Sequence, residues 1–223
     1  MENKTIIGIT MGCPASIGPE LVIKFFQEFK TSHTLQPIVI GDRGVLEKYT
    51  AEHDYHQIIT TWKPGSDIDP NLGIPVFEAS QLDANMLTWG HPSPETGKAM
   101  AAYITTAVQL IEDDYIDGLT TCPIAKSSLQ AAGYNYPGHT EMLAQLTGAD
   151  NFGMLMAGKS LIVTLVTIHC PLKEVSTMLS VDTVLDTIKL TDFSLRNDFG
   201  IAQPIVSVAG LNPHASENGI FGN

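Results

Sequence analysis

The feature that most constrains this chain is a pair of unbroken apolar runs, each shut off by a proline turn that carries a histidine. Residues Leu161 to Ile168 read Leu-Ile-Val-Thr-Leu-Val-Thr-Ile and are stopped by His169, Cys170 and Pro171. Residues Ile205 to Leu211 repeat the pattern and are stopped by Asn212, Pro213 and His214. Runs of this kind, continuous instead of alternating, suit strands covered on both faces by helices, as in parallel α/β sheets. Ligands in such folds bind outside the carboxyl ends of the strands. Imidazole is both a common metal ligand and the side chain that titrates nearest neutral pH. With His139 in Pro-Gly-His-Thr-Glu as a third, these histidines are the first candidates for chemistry. The plainer reading is three unrelated histidines hydrogen-bonded in turns.

The remainder of the chain alternates strands and helices. A β-like run, Ile6 to Thr10, leads through Met-Gly-Cys-Pro-Ala-Ser-Ile-Gly-Pro-Glu into a helix that Pro19 suits at its first turn and that repeats Val22, Phe25, Phe26 and Phe29. Leu35 to Ile40 reads as a second strand, and residues 52 to 95 as irregular. From Thr96 to Asp113, Met100, Tyr103, Ile104, Ala107, Val108 and Ile111 describe one face of a long helix. A short strand at Asp117-Gly-Leu-Thr-Thr then ends in a polar loop with Lys126, and a further helix is expected around Val181 to Phe193. This alternation predicts an α/β sandwich with a largely parallel sheet. Two lobes are expected, 1–120 and 121–223.

At 223 residues and 43% hydrophobic content the chain can bury a full core. No segment approaches eighteen uncharged apolar residues, and the start lacks the pattern of a secretory signal. A cytoplasmic protein is expected. A net charge of −12, from 12 Lys+Arg against 24 Asp+Glu, opposes nucleic acid and anionic membrane as partners. It leaves room for a small phosphorylated substrate held locally. Cys13, Cys122 and Cys170 all precede proline. A metal–thiolate site would bring them together, whereas their spacing, with no C-x-x-C pair, favours small buried thiols beside turn prolines.

One motif competes with these readings. Gly153-Met-Leu-Met-Ala-Gly-Lys-Ser satisfies the phosphate-binding pattern G-x-x-x-x-G-K-S. That loop should open a helix, yet Ser160 leads straight into the β-branched run, so Gly158-Lys159 reads as the tight turn of a hairpin. There is no G-x-G-x-x-G, and a Rossmann site is unsupported.

Five segments in order carry a resemblance. Gly-Ile-Thr-Met-Gly-Cys-Pro-Ala-Ser-Ile-Gly-Pro-Glu, Thr-Cys-Pro-Ile-Ala-Lys, Tyr-Pro-Gly-His-Thr-Glu, Val-Thr-Ile-His-Cys-Pro-Leu and Ala-Gly-Leu-Asn-Pro-His-Ala-Ser-Glu are similar to the successive motifs of the 4-hydroxythreonine-4-phosphate dehydrogenase family. The resemblance implies a two-lobed α/β/α sandwich of the isocitrate/isopropylmalate dehydrogenase type, a homodimer, and NAD or NADP bound by loops. It implies a divalent metal (Zn, Mg, Mn or Co) held by His169 and His214, and a substrate held by His139 and Thr140. Lys126 is a further candidate, for catalysis or an ion pair, and Glu217 and Asn212 are candidates to orient a ligand. The implied reaction is oxidation, with decarboxylation, of 4-phosphohydroxy-L-threonine to 3-amino-2-oxopropyl phosphate in pyridoxal phosphate biosynthesis. Phosphorylated threonate or erythronate are the alternative substrates.

The chain departs from the family pattern at Cys13, where an acidic residue is expected, and at Ser16 and Ser216, where glycine is expected. It also stops soon after His214, whereas the family continues with a third metal histidine, basic residues for the phosphate and much of the cofactor site. A two-histidine set falls short of the three protein ligands usual for catalytic zinc. The second expectation is therefore a non-catalytic binding protein on the same scaffold, with an incomplete second lobe.

Overall fold

A computed structural model describes residues 4–29, 32, 34–69, 71–212, 214, 217, 218 and 220. The chain divides into two compact units, 1–149 and 150–223. The first is built on a five-stranded sheet: β1 (Thr5–Thr10), β2 (Leu35–Gly41), β3 (Ile59–Thr61), β4 (Ile74–Glu78) and β5 (Gly118–Thr121), in the order β3-β4-β2-β1-β5. Every pairing is parallel. The expected α/β architecture is the one the chain adopts. β1 lies inside the sheet, with Ile9 opposite Val39 on one side and Thr120 on the other.

The helices follow from their ends and faces. α1 (Gly18–Glu28) starts with Pro19 in its first turn and buries Val22 and Ile23, while Phe25 stays exposed. Its sheet-facing side thus takes in Ile23 and the part-buried Phe26 and leaves out Phe25. α2 (Arg43–Glu52) is capped by Asp42, whose carboxylate also accepts from Ser80 Oγ and from the Leu82 amide, each at 2.7 Å. Ser80 in turn meets the Tyr103 hydroxyl at 2.9 Å. A buried carboxylate with this many donors is tolerated because each bond replaces water.

α3 (Pro94–Glu112) opens with a Ser93–Thr96 capping box. It packs Ala99, Tyr103, Ala107 and Leu110 into the sheet core. Met100, Ala101 and Ile104 join a second cluster with Leu129 of α4 (Lys126–Ala131) and Met142 of α5 (His139–Thr147). Because β5 pairs with β1 and α3 holds α4 and α5, residues 121–149 group with the first unit. The contact division therefore falls later than the lobe boundary expected at 120/121. Within 52–95, read as irregular from sequence, the structure adds β3, β4 and a short 3-10 turn, Ala84–Met86. These elements are short, and β4 carries Pro75, so no local period announces them.

In the second unit, β6 (Met154–Ala157) and β7 (Ile162–Leu165) pair antiparallel, with Gly158 N–H donating to Leu161 O across the turn at 2.9 Å. The G-x-x-x-x-G-K-S match is a hairpin, as its flanks indicate. After a short helix, α6 (Val175–Met178), comes α7 (Val181–Asn197), begun by a Ser180–Thr183 capping box. The expected strand 161–168 is shorter than its apolar run and belongs to a two-stranded sheet. The expected strand at Ile205 to Leu211 does not form among the described residues: Ile205 is 93% exposed, and no ladder reaches it. A strand exists only where a neighbour accepts its hydrogen bonds, whatever its β propensity. Within the second unit, Thr191 and Leu195 are the buried side chains among the described residues.

No described helix is long and apolar enough to cross a membrane. A Cβ on Gly97 would stand 2.1 Å from the Ser128 carbonyl oxygen, so α3 and α4 meet at closer range than alanine allows. Gly97→Ala is expected to destabilise the fold by about 3 kcal/mol, the upper range for overpacking. Urea unfolding measures this, and a change below about 0.5 kcal/mol would mean that the two helices can part freely.

Candidate functional site

The carboxyl ends of β1 and β5 are where this sheet offers a crevice, because the chain leaves β1 toward β2 on one side and returns to β5 on the other. Two loops leave these ends and are bonded to each other. The Cys122 amide donates to Thr10 O at 3.0 Å, and the Cys13 amide donates to Pro123 O at 2.9 Å. Gly12, at φ +71°, sits so close that a Cβ would lie 2.4 Å from Pro123 O. Only glycine satisfies both the left-handed backbone and this approach. Ser16 lies on the exposed rim of the same loop and has no left-handed backbone, so serine is tolerated there.

Cys13 is buried, and burial raises its thiol pKa, opposed by hydrogen bonds from the Ala15 and Ala125 backbone and the Thr96 side chain. Cys122 is likewise pushed up by burial, to about 11. Both are neutral thiols at physiological pH, as small buried residues beside turn prolines should be. Cys170 is part-exposed and belongs to the other compact unit.

From the β5 loop the chain turns directly into α4, whose first residue is the exposed Lys126. α5 begins nearby with Gly138 as an N-cap that supplies no side-chain cap, followed by His139 and Thr140. A methyl group built on Gly138 would lie 3.6 Å from Glu141 Oε2 and 3.8 Å from Lys126 Nζ. Lys126 makes no hydrogen bond or ion pair among the described residues. His139 is part-buried, and its Nε2 is inaccessible to solvent and has no partner among the described residues. Its pKa is lowered, first by burial and then by the charge of Lys126. The structure therefore brings Lys126, His139 and Thr140 to one corner, beyond the strand ends. Sequence reading named all three but missed Glu141 as a neighbour, although it stands in the quoted motif. It also missed Thr10, whose buried hydroxyl, at the end of β1, has no partner among the described residues; the only signal was its place as the last residue of an apolar run.

His169 and His214 lie in the second unit. His169 is exposed and holds φ +52°, a left-handed conformation uncommon for a side chain of this size. Such strain persists where the surroundings impose it, often at functional sites. His214 Nδ1 is 2.8 Å from Glu217 Oε1, and its amide donates to Asn212 Oδ1 at 3.2 Å. Glu217 and Asn212 thus touch this histidine. Ser216 lies outside the described residues. Among the described residues, no group of three or more His, Cys, Asp and Glu side chains is placed to hold a metal ion. His169 and His214 carry imidazole donors of a kind that metals take, but the described residues do not complete a ligand set around them.

The His139 shift has a consequence for stability. A histidine whose folded pKa lies below the ordinary 6.5 must shed a proton that the unfolded chain keeps, so stability falls as pH drops through 6.5 toward the folded value. His139→Gln is expected to flatten this acid limb in urea titrations across that window; an unchanged slope would place the titrating group elsewhere. Under native conditions Cys170 should be alkylated well before Cys13 and Cys122, as mass spectrometry of trapped thiols would record.

Residues 33–223 match the family described as pyridoxal phosphate biosynthetic protein PdxA. Over its whole length the chain is 45% identical to a 4-hydroxythreonine-4-phosphate dehydrogenase of Desulfosudis oleivorans and 43% identical to one of Desulforapulum autotrophicum, spanning 66% of the length of each. The crystal structure of 4-hydroxythreonine-4-phosphate dehydrogenase from Klebsiella pneumoniae superposes with a TM-score of 0.89 at 31% identity, covering 99% of this chain and 68% of that one. The chain thus spans about two thirds of the curated relatives it matches. A match across most of the chain, relatives above 30% identity and a shared fold together place this chain in the PdxA family.

Proposed function

We propose that this chain is part of a dehydrogenase that oxidises the hydroxyl of a small phosphorylated hydroxy acid, with 4-phosphohydroxy-L-threonine as substrate. The observation that carries the reading is the Lys126–His139–Thr140 corner beyond the ends of β1 and β5, with a buried imidazole nitrogen that has no partner among the described residues. A buried polar atom without a partner is costly, and a turn of the imidazole that brings Nε2 out to a substrate hydroxyl would relieve it. His139 stays neutral near pH 7, which suits it to accept a hydrogen bond from a hydroxyl or to take up its proton. Thr140, in the same first turn, would add a hydroxyl to the substrate's polar groups.

NAD or NADP, when bound, supplies the acceptor for the hydride that leaves the carbinol carbon. The resulting β-keto acid loses its carboxylate as CO₂, giving 3-amino-2-oxopropyl phosphate. His169 and His214 are proposed as contributors to a divalent-metal site on the strength of their motifs, with Glu217 and Asn212 orienting His214. The described residues do not complete such a site, and the roles assigned here to His139 and Thr140 do not depend on it. A homodimer in the cytoplasm completes the reading.

The test is NAD(P)H production from 4-phosphohydroxy-L-threonine, with phosphorylated threonate and erythronate offered in parallel. It is run on the 223-residue chain and on a chain extended to the relatives' length. Activity in either that falls at least 100-fold in His139→Ala, consistent with loss of a positioned acid–base group, supports the reading. Full activity in that variant, or none with any of the three substrates, counts against it.

A further inference from the structure

The segment that joins β4 to α3, residues 79–92, has little regular structure, yet it follows the carboxyl edge of the sheet and is bonded at both ends and in its middle. At the start, Ala79 N–H donates to Gly41 O in β2, and Ser80 and Leu82 donate to Asp42. At the far end, Gly90 N–H donates to Ala15 O at 2.7 Å, in the loop that leaves β1. Between these anchors one side chain holds the segment. Lys48, from the middle of α2, donates to Ala84 O and to Leu87 O, each at 2.8 Å. These carbonyls belong to the 3-10 turn Ala84–Met86 and its C-cap, a piece too short to hold itself. The same ammonium stands 5.5 Å from the Trp89 ring, whose Nε1 donates to Glu52 at 2.6 Å. With 18% of its side chain exposed, Lys48 has exchanged most of its water for these partners. An exposed Lys–Glu pair alone would contribute little. Two carbonyls of one irregular segment give Lys48 another task.

What the segment touches beyond itself makes this hold matter. Leu87 packs against both apolar clusters of the first unit. The second cluster contains Cys13 and Ala15 of the β1 loop, together with Leu129 of α4 and Met142 of α5. α3, which starts where the segment ends, adds a hydrogen bond between the Thr96 side chain and the Cys13 thiol. The β1 loop is thus fixed by Pro123 from the β5 side and by Gly90 from this segment.

We propose that Lys48 is a positioning residue for the crevice at the ends of β1 and β5: it clamps residues 84–89 to α2, and through Leu87 and Gly90 that segment sets the β1 loop. The proposal rests on the reading of this crevice as the place of reaction and adds a residue that acts on it through another segment. Releasing the clamp frees the segment as a local unit while the sheet stays folded.

The experiment compares alkylation of Cys13 and Cys122 by mass spectrometry in the native 223-residue chain, for the wild type, Lys48→Met and Lys48→Arg. Cys13 reports the β1 loop, and Cys122, just past the end of β5, serves as the control. Lys48→Met is expected to speed alkylation of Cys13 at least about tenfold, as the loss of a charged hydrogen bond implies, with Cys122 unchanged. Lys48→Arg keeps donors for both carbonyls and should restore the slow rate. An equal rise at both cysteines means general loosening and overturns the proposal, as does no change at Cys13. Should Lys48→Met fail to fold, hydrogen exchange of the wild type decides. The Leu87 and Gly90 amides are expected to exchange through one shared opening, at lower cost than the Ile9 amide inside β1; separate openings count against the clamp.

A chain that turns over 4-phosphohydroxy-L-threonine adds a kinetic readout. Lys48→Met should raise KM more than it lowers kcat, because a wall of the crevice moves while the groups that handle protons stay; an effect on kcat alone contradicts this. If Cys13 responds to Lys48 while no chain turns over any of the three substrates, the clamp stands and the proposed reaction falls. Turnover with a Cys13 indifferent to Lys48 keeps the reaction and removes the clamp.

Discussion

The double pairing of β1 is the constraint on which the first unit depends. Held by β2 on one side and β5 on the other, β1 delivers its carboxyl end and that of β5 to the same edge. The loops leaving those ends are then bonded backbone to backbone, through Thr10 O and Pro123 O. Side chains contribute little to this junction. What specifies it is the absence of a side chain at Gly12, where the backbone of one loop passes against the other. Everything beyond it, the start of α4 and through α3 the placement of α5, inherits its position from this contact.

Much of this was legible in the sequence because the signals were local and long. The apolar run before Met11, the helical spacing of Met100 to Ile111 and the glycine–proline punctuation each point to one element, and the structure contains them. Histidine 139 and Lys126 were also legible as site candidates, since each follows a recognisable turn or strand end. Their juxtaposition was not: it depends on α3 bringing α4 and α5 together, a matter of packing between residues far apart in the chain. Ile205 to Leu211 shows the opposite failure. Its composition is as β-prone as that of any strand here, but composition speaks of the run itself, while a strand is a relation between two runs. Likewise, the shift of the α1 face from Phe25 to Ile23 came from the sheet it covers, which the helical period alone does not specify.

The two units differ in how they hold themselves together. The first has two apolar clusters and a buried hydrogen-bonded carboxylate, Asp42, that caps α2 and ties it to Ser80 and Leu82, with Ser80 in turn meeting Tyr103 of α3. The second relies on a hairpin and one long helix, whose surface carries Asp192–Arg196 and Asp186–Lys189 pairs. Exposed pairs of this kind contribute little. A cavity of about 360 Å³ lies between β7, α7 and residues 205–209, lined by Ile162, Val184, Ile188 and Val206 among others. The hydrophobic side chains that would normally close such a space are in this unit, but largely at its surface.

The four residues between β5 and α4 act as a ruler. Cys122 is tied to Thr10, Pro123 to Cys13, and the Ala125 amide reaches Met100 Sδ at 3.4 Å, so the interval from the last sheet residue to Lys126 is gauged by contacts at nearly every step. Length variation should therefore be read differently along this stretch of the chain. A homologous sequence with one residue more or fewer between the strand and the lysine would not simply have a longer or shorter loop. Its lysine would emerge from another point of the helical turn and face another neighbour. An insertion in the connection from α4 to α5, whose backbone bonds are local, would leave that geometry far less disturbed.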